Sequence, residues 1–87
     1  MGKQIRKDFL KWQSKHPNFM TPNVESILTK GENVIEVSSG RGMENETMYG
    51  VTHIKKRADG SFETVDGKPF NDRFSADKYA RNLKKVI

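Results

Sequence analysis

His53-Ile54-Lys55-Lys56-Arg57-Ala58-Asp59-Gly60-Ser61-Phe62-Glu63-Thr64-Val65-Asp66 carries the clearest local signal in this chain. Asp-Gly between two runs of strand-forming residues is a preferred two-residue hairpin loop of type I′. On that reading Ala58 pairs with Ser61 and the register follows outward. Arg57 faces Phe62, Lys56 faces Glu63, Lys55 faces Thr64, Ile54 faces Val65 and His53 faces Asp66. Opposite charges, two apolar residues and an arginine–aromatic pair then lie across from one another, the combinations that stabilise antiparallel strands. Residues 47–57 and 61–66 are expected as the two strands.

Working outward, Asn33-Val34-Ile35-Glu36-Val37-Ser38-Ser39 is rich in β-branched residues and reads as a further strand. Gly40-Arg41-Gly42-Met43-Glu44-Asn45-Glu46 is expected to form the polar loop after it, and Asp66-Gly67-Lys68-Pro69 another turn. Residues 3–16 read as a helix, because Ile5, Phe9, Trp12 and His16 repeat at i, i+4, i+7 and i+11, one face of a 3.6-residue period. His16-Pro17 ends it, since a residue before proline is pushed out of the α region.

Residues 22–30 admit two readings. Thr21-Pro22 supplies an N-cap and a first-turn proline, Val24, Ile27 and Leu28 fit helical spacing, and Lys30-Gly31 supplies a basic last turn and a stop. The rival is a strand running into a Lys30-Gly31-Glu32-Asn33 turn. The helix is preferred. The last helix is expected to start at Ser75 with Asp77 in its first turn, and Phe74 and Tyr79 have the spacing of a hydrophobic staple. Ala76, Tyr79, Ala80, Leu83 and Ile87 form its apolar stripe, with Val86 on the edge.

The resulting expectation is one α+β domain over residues 1–87, in the order α-α-β-β-β-α. A three-stranded antiparallel sheet is packed by N- and C-terminal amphipathic helices. Trp12, Phe9, Ile5, Ile35, Val37, Val51, Ile54, Leu83 and Tyr79 are expected in its core. Leu, Ile, Val and Phe number 19 of 87 residues, only just above the range where disorder is the default. There is no cysteine, so neither a disulfide nor a thiolate zinc site can supplement so small a core. No apolar run reaches the roughly 18 residues of a membrane span, and the N-terminus lacks the apolar stretch of a secretory signal. The expected location is the cytoplasm, with no membrane partner.

The excess of positive charge lies in the two ends. Residues 1–16 hold five basic residues and one acidic, residues 75–87 hold four and one, and residues 17–74 hold seven and nine. Lys3, Lys7, Lys11 and Lys15 repeat at i+4 and form a ridge displaced from the apolar stripe. Like charges at that spacing repel, so a phosphate backbone along the ridge is one reason for it, and solvated surface is the other. Lys78 and Arg81 belong to a second basic face, whose neighbours Lys84 and Lys85 are already favoured by the helix dipole. Lys55 and Arg57 at the hairpin tip are a third candidate, against which stands the ordinary use of charge to protect strand edges.

Ser38-Ser39-Gly40-Arg41-Gly42 is not a P-loop, because no Gly-Lys-Ser/Thr and no helix follow. His16 and His53 lack metal-pair spacing, and Asp66 opposite His53 would favour its charged form. Glu44 and Glu46 share a loop, too loose a mount for acid–base work. No catalytic constellation is recognisable, and an enzyme, a metal or a cofactor is not expected.

The segment from Tyr49 to Val86 resembles the three-stranded-sheet-plus-helix domains of plant AP2 factors and phage-type integrase N-termini. Tyr49-Gly50-Val51, Lys56-Arg57-Ala58-Asp59-Gly60 and Phe74-Ser75-Ala76-Asp77-Lys78-Tyr79-Ala80 carry the resemblance. It implies DNA binding by the sheet face, although the third strand here lacks the basic and aromatic alternation of those families. The favoured function is a small accessory protein that binds DNA or RNA through the basic faces of its terminal helices. The alternative is a protein-interaction module, an inhibitor or adaptor of the kind mobile elements encode, meeting an acidic protein surface.

Overall fold

Residues 23–30, the stretch with two readings, form a strand. In the computed structural model, which describes residues 2–15 and 23–87, the elements run α1 Gly2–Lys15, β1 Asn23–Lys30, β2 Asn33–Arg41, β3 Thr47–Lys56, β4 Phe62–Phe70 and α2 Arg73–Val86. The architecture is α+β as expected, but with two helices and a four-stranded antiparallel meander in the order β1-β2-β3-β4. The helical reading of 22–30 is corrected for a physical reason. Ile27 packs against one core cluster and Leu28 against another, so both faces of β1 meet apolar neighbours and the period-2 alternation is blurred. An irregularity between Val24 and Ser26 also breaks the pairing with β2, so these two residues no longer share a face. The turn at Gly31-Glu32 has Gly31 at φ 60°, a value that glycine reaches without steric cost.

Burial on both faces also explains β2, in which all six residues from Val34 to Ser39 are buried. Neighbours along a strand point to opposite sides, so the sheet has two cores. On one face Val34, Ile54 and Phe62 receive Ile5, Phe9 and Trp12 of α1, with Ile27 at the margin. On the other, Ile35, Val37 and Val51 receive Ala76 and Ala80 of α2, flanked by Tyr79, Leu83 and Ile87. The two helices therefore lie on opposite faces of the sheet. All the core residues named from sequence belong to one or other cluster. His16 lies outside the described residues.

Aromatic contacts fasten α1. Phe9 meets Phe62 edge-on at 5.4 Å between centroids, and Trp12 lies 5.5 Å from Phe62. Lys56 on β3 donates to the Asp8 carboxylate at 3.0 Å, which ties α1 to the hairpin. That bond, helped by one from Gln4 and by the charges of Lys56 and Lys11, holds Asp8 below its ordinary pKa of 3.8.

The β3–β4 hairpin departs from the expected register in an instructive way. The Arg57 amide donates to the Ser61 carbonyl at 2.7 Å and the Gly60 amide to the Arg57 carbonyl at 3.0 Å. Gly60 is at φ 90°, and Asp59 is not in the positive region. The loop is thus the three-residue Ala58-Asp59-Gly60, a tight turn followed by a left-handed glycine, in place of a two-residue type I′ turn. The Asp59 carboxylate accepts from the Ser61 hydroxyl and the Ser61 amide, which lowers its pKa. The longer loop moves the tip by one residue, so Lys56 faces Phe62, Lys55 faces Glu63 and Ile54 faces Thr64. The pairing is irregular between His53 and Ile54 and leaves Val65 without an opposite residue. Beyond this bulge the expected pairing of His53 with Asp66 holds. β4 continues through Gly67, Lys68 and Pro69, which were expected as a turn.

The β2–β3 connection has the same hydrogen-bond signature. Gly42 and Glu46 are joined at 2.8 Å, the Asn45 amide donates to the Gly42 carbonyl at 3.1 Å, and Asn45 takes the left-handed position at φ 66°. The loop is shorter than the expected 40–46, because Gly40 and Arg41 still pair with Met48 and Thr47.

The start of α2 also differs from expectation. Its N-cap is Asp72, whose carboxylate accepts from the Ser75 amide at 2.8 Å and from the Ser75 hydroxyl at 2.9 Å. Those bonds, the backbone one foremost, lower the pKa of Asp72. Ser75 is the third helical residue, and Phe74 is no staple. The residue is 73% exposed, and the aromatic neighbour of Tyr79 is Phe70, at 5.3 Å.

Candidate nucleic-acid interface

The acidic groups near the sheet are largely occupied. Asp8 holds Lys56, Glu63 holds Arg57 at 3.1 Å, and Arg73 lies between Glu25 at 3.7 Å and Asp77 at 3.4 Å. The Glu25 carboxylate also accepts from the buried Ser39 hydroxyl at 3.0 Å, so β2, β1 and the first turn of α2 share one polar chain. These cations are structural, and the hairpin tip loses much of its standing as a site. Lys56 is turned to the α1 side, Arg57 is committed to Glu63, and Lys55 alone of the three is an exposed cation without an ion-pair partner among the described residues.

Four residues are repeated every four on α1, but a turn takes 3.6 residues, so each step of the ridge drifts about 40° around the helix. Lys7 is exposed, whereas Lys11 lies with Asp8, Trp12, Lys56 and Gly60 along the seam between α1 and the hairpin tip. The side chains of Lys3 and Lys15 lie outside the described residues.

Helix α2 has a sharper organisation. Ala76, Ala80, Leu83 and Ile87, the residues packed on the sheet, repeat at i, i+4, i+7 and i+11. Phe74, Lys78, Arg81 and Lys85 repeat with the same spacing, two residues out of phase. Two residues are about 200° of helical rotation, so this second stripe runs along the side of α2 turned away from the sheet. All four of its members are exposed, and none of the three cations has an ion-pair partner among the described residues. Asp77 lies off the stripe and is held by Arg73. Lys84 is exposed on the flank.

Of the sequence-predicted residues, Lys78 and Arg81 are brought together with each other and with Lys85. Lys7 and Lys11 are on the opposite face of the sheet, and Lys55 is on the hairpin. Sequence reading missed Phe74, which the staple pattern claimed. The signal that finds it is the match between its spacing and that of the buried stripe.

No protein-family model, curated protein or solved structure matches the chain significantly. The sheet-face binding implied by the resemblance to plant AP2 factors and integrase N-termini meets an obstacle. The face opposite α2 carries α1 on Val34, Ile54 and Phe62, and Glu36 and Ser38 of that face are buried too.

The histidine pair also resolves differently. His53 is opposite Asp66 in the ladder, but its Nε2 donates to Asn33 Oδ1 at 2.9 Å. Arg41 donates to Asn45 Oδ1 across the β2–β3 loop at 2.6 Å, a use internal to that loop. Among the described residues no cluster of three His, Asp or Glu side chains is placed to hold a metal, and no helix is long and apolar enough to cross a membrane.

Proposed function

We propose that this protein binds nucleic acid, with the outer face of α2 as its principal contact and α1 as a separate, weaker basic face. The observation that carries the reading is the stripe Phe74–Lys78–Arg81–Lys85: three cations without an ion pair among the described residues and an exposed aromatic in one line, with no acidic residue among them. Cations on a helix end can be explained by the macrodipole, but that field acts within the last turn. Lys78 and Arg81 lie too far upstream for it. A polyanion that releases its counterions onto Lys and Arg accounts for all three.

Because α1 and α2 are on opposite sides of the sheet, their charges do not sum into one surface. A single polyanion strand is engaged chiefly by one helix, so affinity is modest and strongly salt-dependent. Titration of labelled DNA and RNA oligonucleotides, at low and at physiological salt, tests the reading. Binding that weakens steeply with salt supports it. No binding to any oligonucleotide at low salt refutes it, and saturable capture of one acidic protein in place of nucleic acid would move the function to the interaction-module class.

A further inference from the structure

We infer that the nucleic acid taken by α2 is single-stranded and that Phe74 supplies a stacking platform for one of its bases; this rests on the nucleic-acid reading above. Phe74 sits in the first turn of α2, between the capping residue Asp72 and its partner Ser75, so its backbone is held by the two cap bonds at 2.8 and 2.9 Å. Its ring has no ring partner among the described residues, and 73% of the residue is in solvent. Phe70 and Tyr79 pair with each other, and Phe9, Trp12 and Phe62 form the opposite cluster. A backbone already fixed by the cap limits the ordering cost on binding to the ring's own two side-chain torsions.

Along the helix axis, Phe74, Lys78, Arg81 and Lys85 are separated by steps of roughly 4.5–6 Å, a span of about 16 Å. Phosphates of one strand recur every 3.4 Å or so when stacked, so the stripe matches a few successive nucleotides of a strand that runs along it. The aromatic decides between strand and duplex. In a duplex the bases are stacked on each other and show only their edges in the grooves, which a phenyl ring cannot read by hydrogen bonding. An unpaired base offers its π-face, and stacking on an aromatic beside a row of cations is how single strands are held without sequence preference.

The test uses the intact chain and three probes: a mixed-sequence single strand of about 12 nucleotides, its duplex, and an abasic strand with the same phosphates. DNA and RNA versions of the single strand separate the two sources. Phe74→Ala is expected to lower single-strand affinity about 5- to 150-fold, the range that loss of one base–aromatic stack gives. The same variant is expected to bind the abasic strand as the wild type does. Phe74→Trp is expected to keep the affinity and to show indole quenching on binding beyond that from Trp12 in the wild type. Lys78→Gln with Arg81→Gln is expected to weaken all three probes. If Phe74→Ala binds the single strand unchanged, or weakens the abasic strand equally, stacking is overturned while the charge-based reading stands. If no probe binds even the wild type, the charge-based reading itself fails. A thermal melt of Phe74→Ala at the wild-type temperature keeps the comparison free of folding effects.

Discussion

Replacing Phe9 with alanine tests the claim that two cores lie back to back on one sheet. Phe9 is 1% exposed, and its ring meets Phe62 at 5.4 Å and Trp12 at 6.4 Å. Losing a buried phenyl group forfeits about 1.5–3 kcal/mol of transfer free energy, and each aromatic pair adds roughly 0.5–1.5 kcal/mol. The cost of phenylalanine-to-alanine changes in cores is accordingly about 3–5 kcal/mol. A chain of this length has a total stability on the order of 4–13 kcal/mol, so the variant is marginal. At roughly 4–8 °C per kcal/mol for a small domain, its melting temperature should fall by at least about 12 °C. The Phe9 cluster shares no residue with the one beneath α2. Amide exchange should therefore accelerate most in α1 and in the strand residues beneath it, with α2 protected longest. Thermal melts and residue-resolved hydrogen exchange measure both. A fall of less than about 1 kcal/mol in stability, or loss of protection first in α2, would refute the two-core arrangement.

Four further outcomes follow from local geometry. Asp8, Asp59 and Asp72 each have a pKa lowered from 3.8 by hydrogen bonds made in the folded state; the stabilisation they contribute is present above the unfolded-state value and is lost as pH falls through the folded one. Stability should thus be flat above about pH 5 and decline below about pH 4, as urea melts across that range will show; a steeper loss toward neutral pH contradicts the assignment. Lys56→Met should move the Asp8 pKa up toward 3.8, read by carboxyl NMR, since the Lys56 bond is the largest cause of its shift. Gly60→Ala, at φ 90°, should cost about 1–2 kcal/mol. Gly67→Ala, with open space around its site and no positive φ, should be neutral or slightly stabilising in the same melts.

The parts of this fold legible in the sequence are those in which one face of an element is buried. Ile5, Phe9 and Trp12 on α1, and Ala76, Ala80 and Leu83 on α2, keep a clean helical period because each helix meets the sheet from one side. β1 was hidden because Ile27 and Leu28 both find apolar neighbours and a bulge breaks the phase at Glu25. The hairpin register was visible only at one point. Asp59-Gly60 marks the turn, but the extra loop residue shifts the pairs nearest the tip and the unpaired Val65 cancels that shift, so of the expected pairs only His53 with Asp66 agrees. Which side of the sheet each helix covers is set by strand parity across three hairpins, and no local pattern reveals it. For the candidate site, Lys78 and Arg81 were visible as charge. Phe74 was not, because a phenylalanine before Ser75-Ala76-Asp77 looks like a staple until Asp72 is known to be the cap.

The central claim, that α2 and not α1 is the principal polyanion face, is tested most directly by the salt dependence of oligonucleotide affinity. Wild type is compared with a Lys78→Gln, Arg81→Gln, Lys85→Gln variant and with a Lys7→Gln, Lys11→Gln variant, all on the same labelled single strand. Each phosphate contact contributes about −0.7 to the log–log slope on a single strand. The α2 variant is predicted to flatten the slope by about two units and to lose most of its low-salt affinity, while the α1 variant keeps nearly the wild-type slope. Equal slopes for the wild type and the α2 variant, with the loss confined to the α1 variant, would contradict the account.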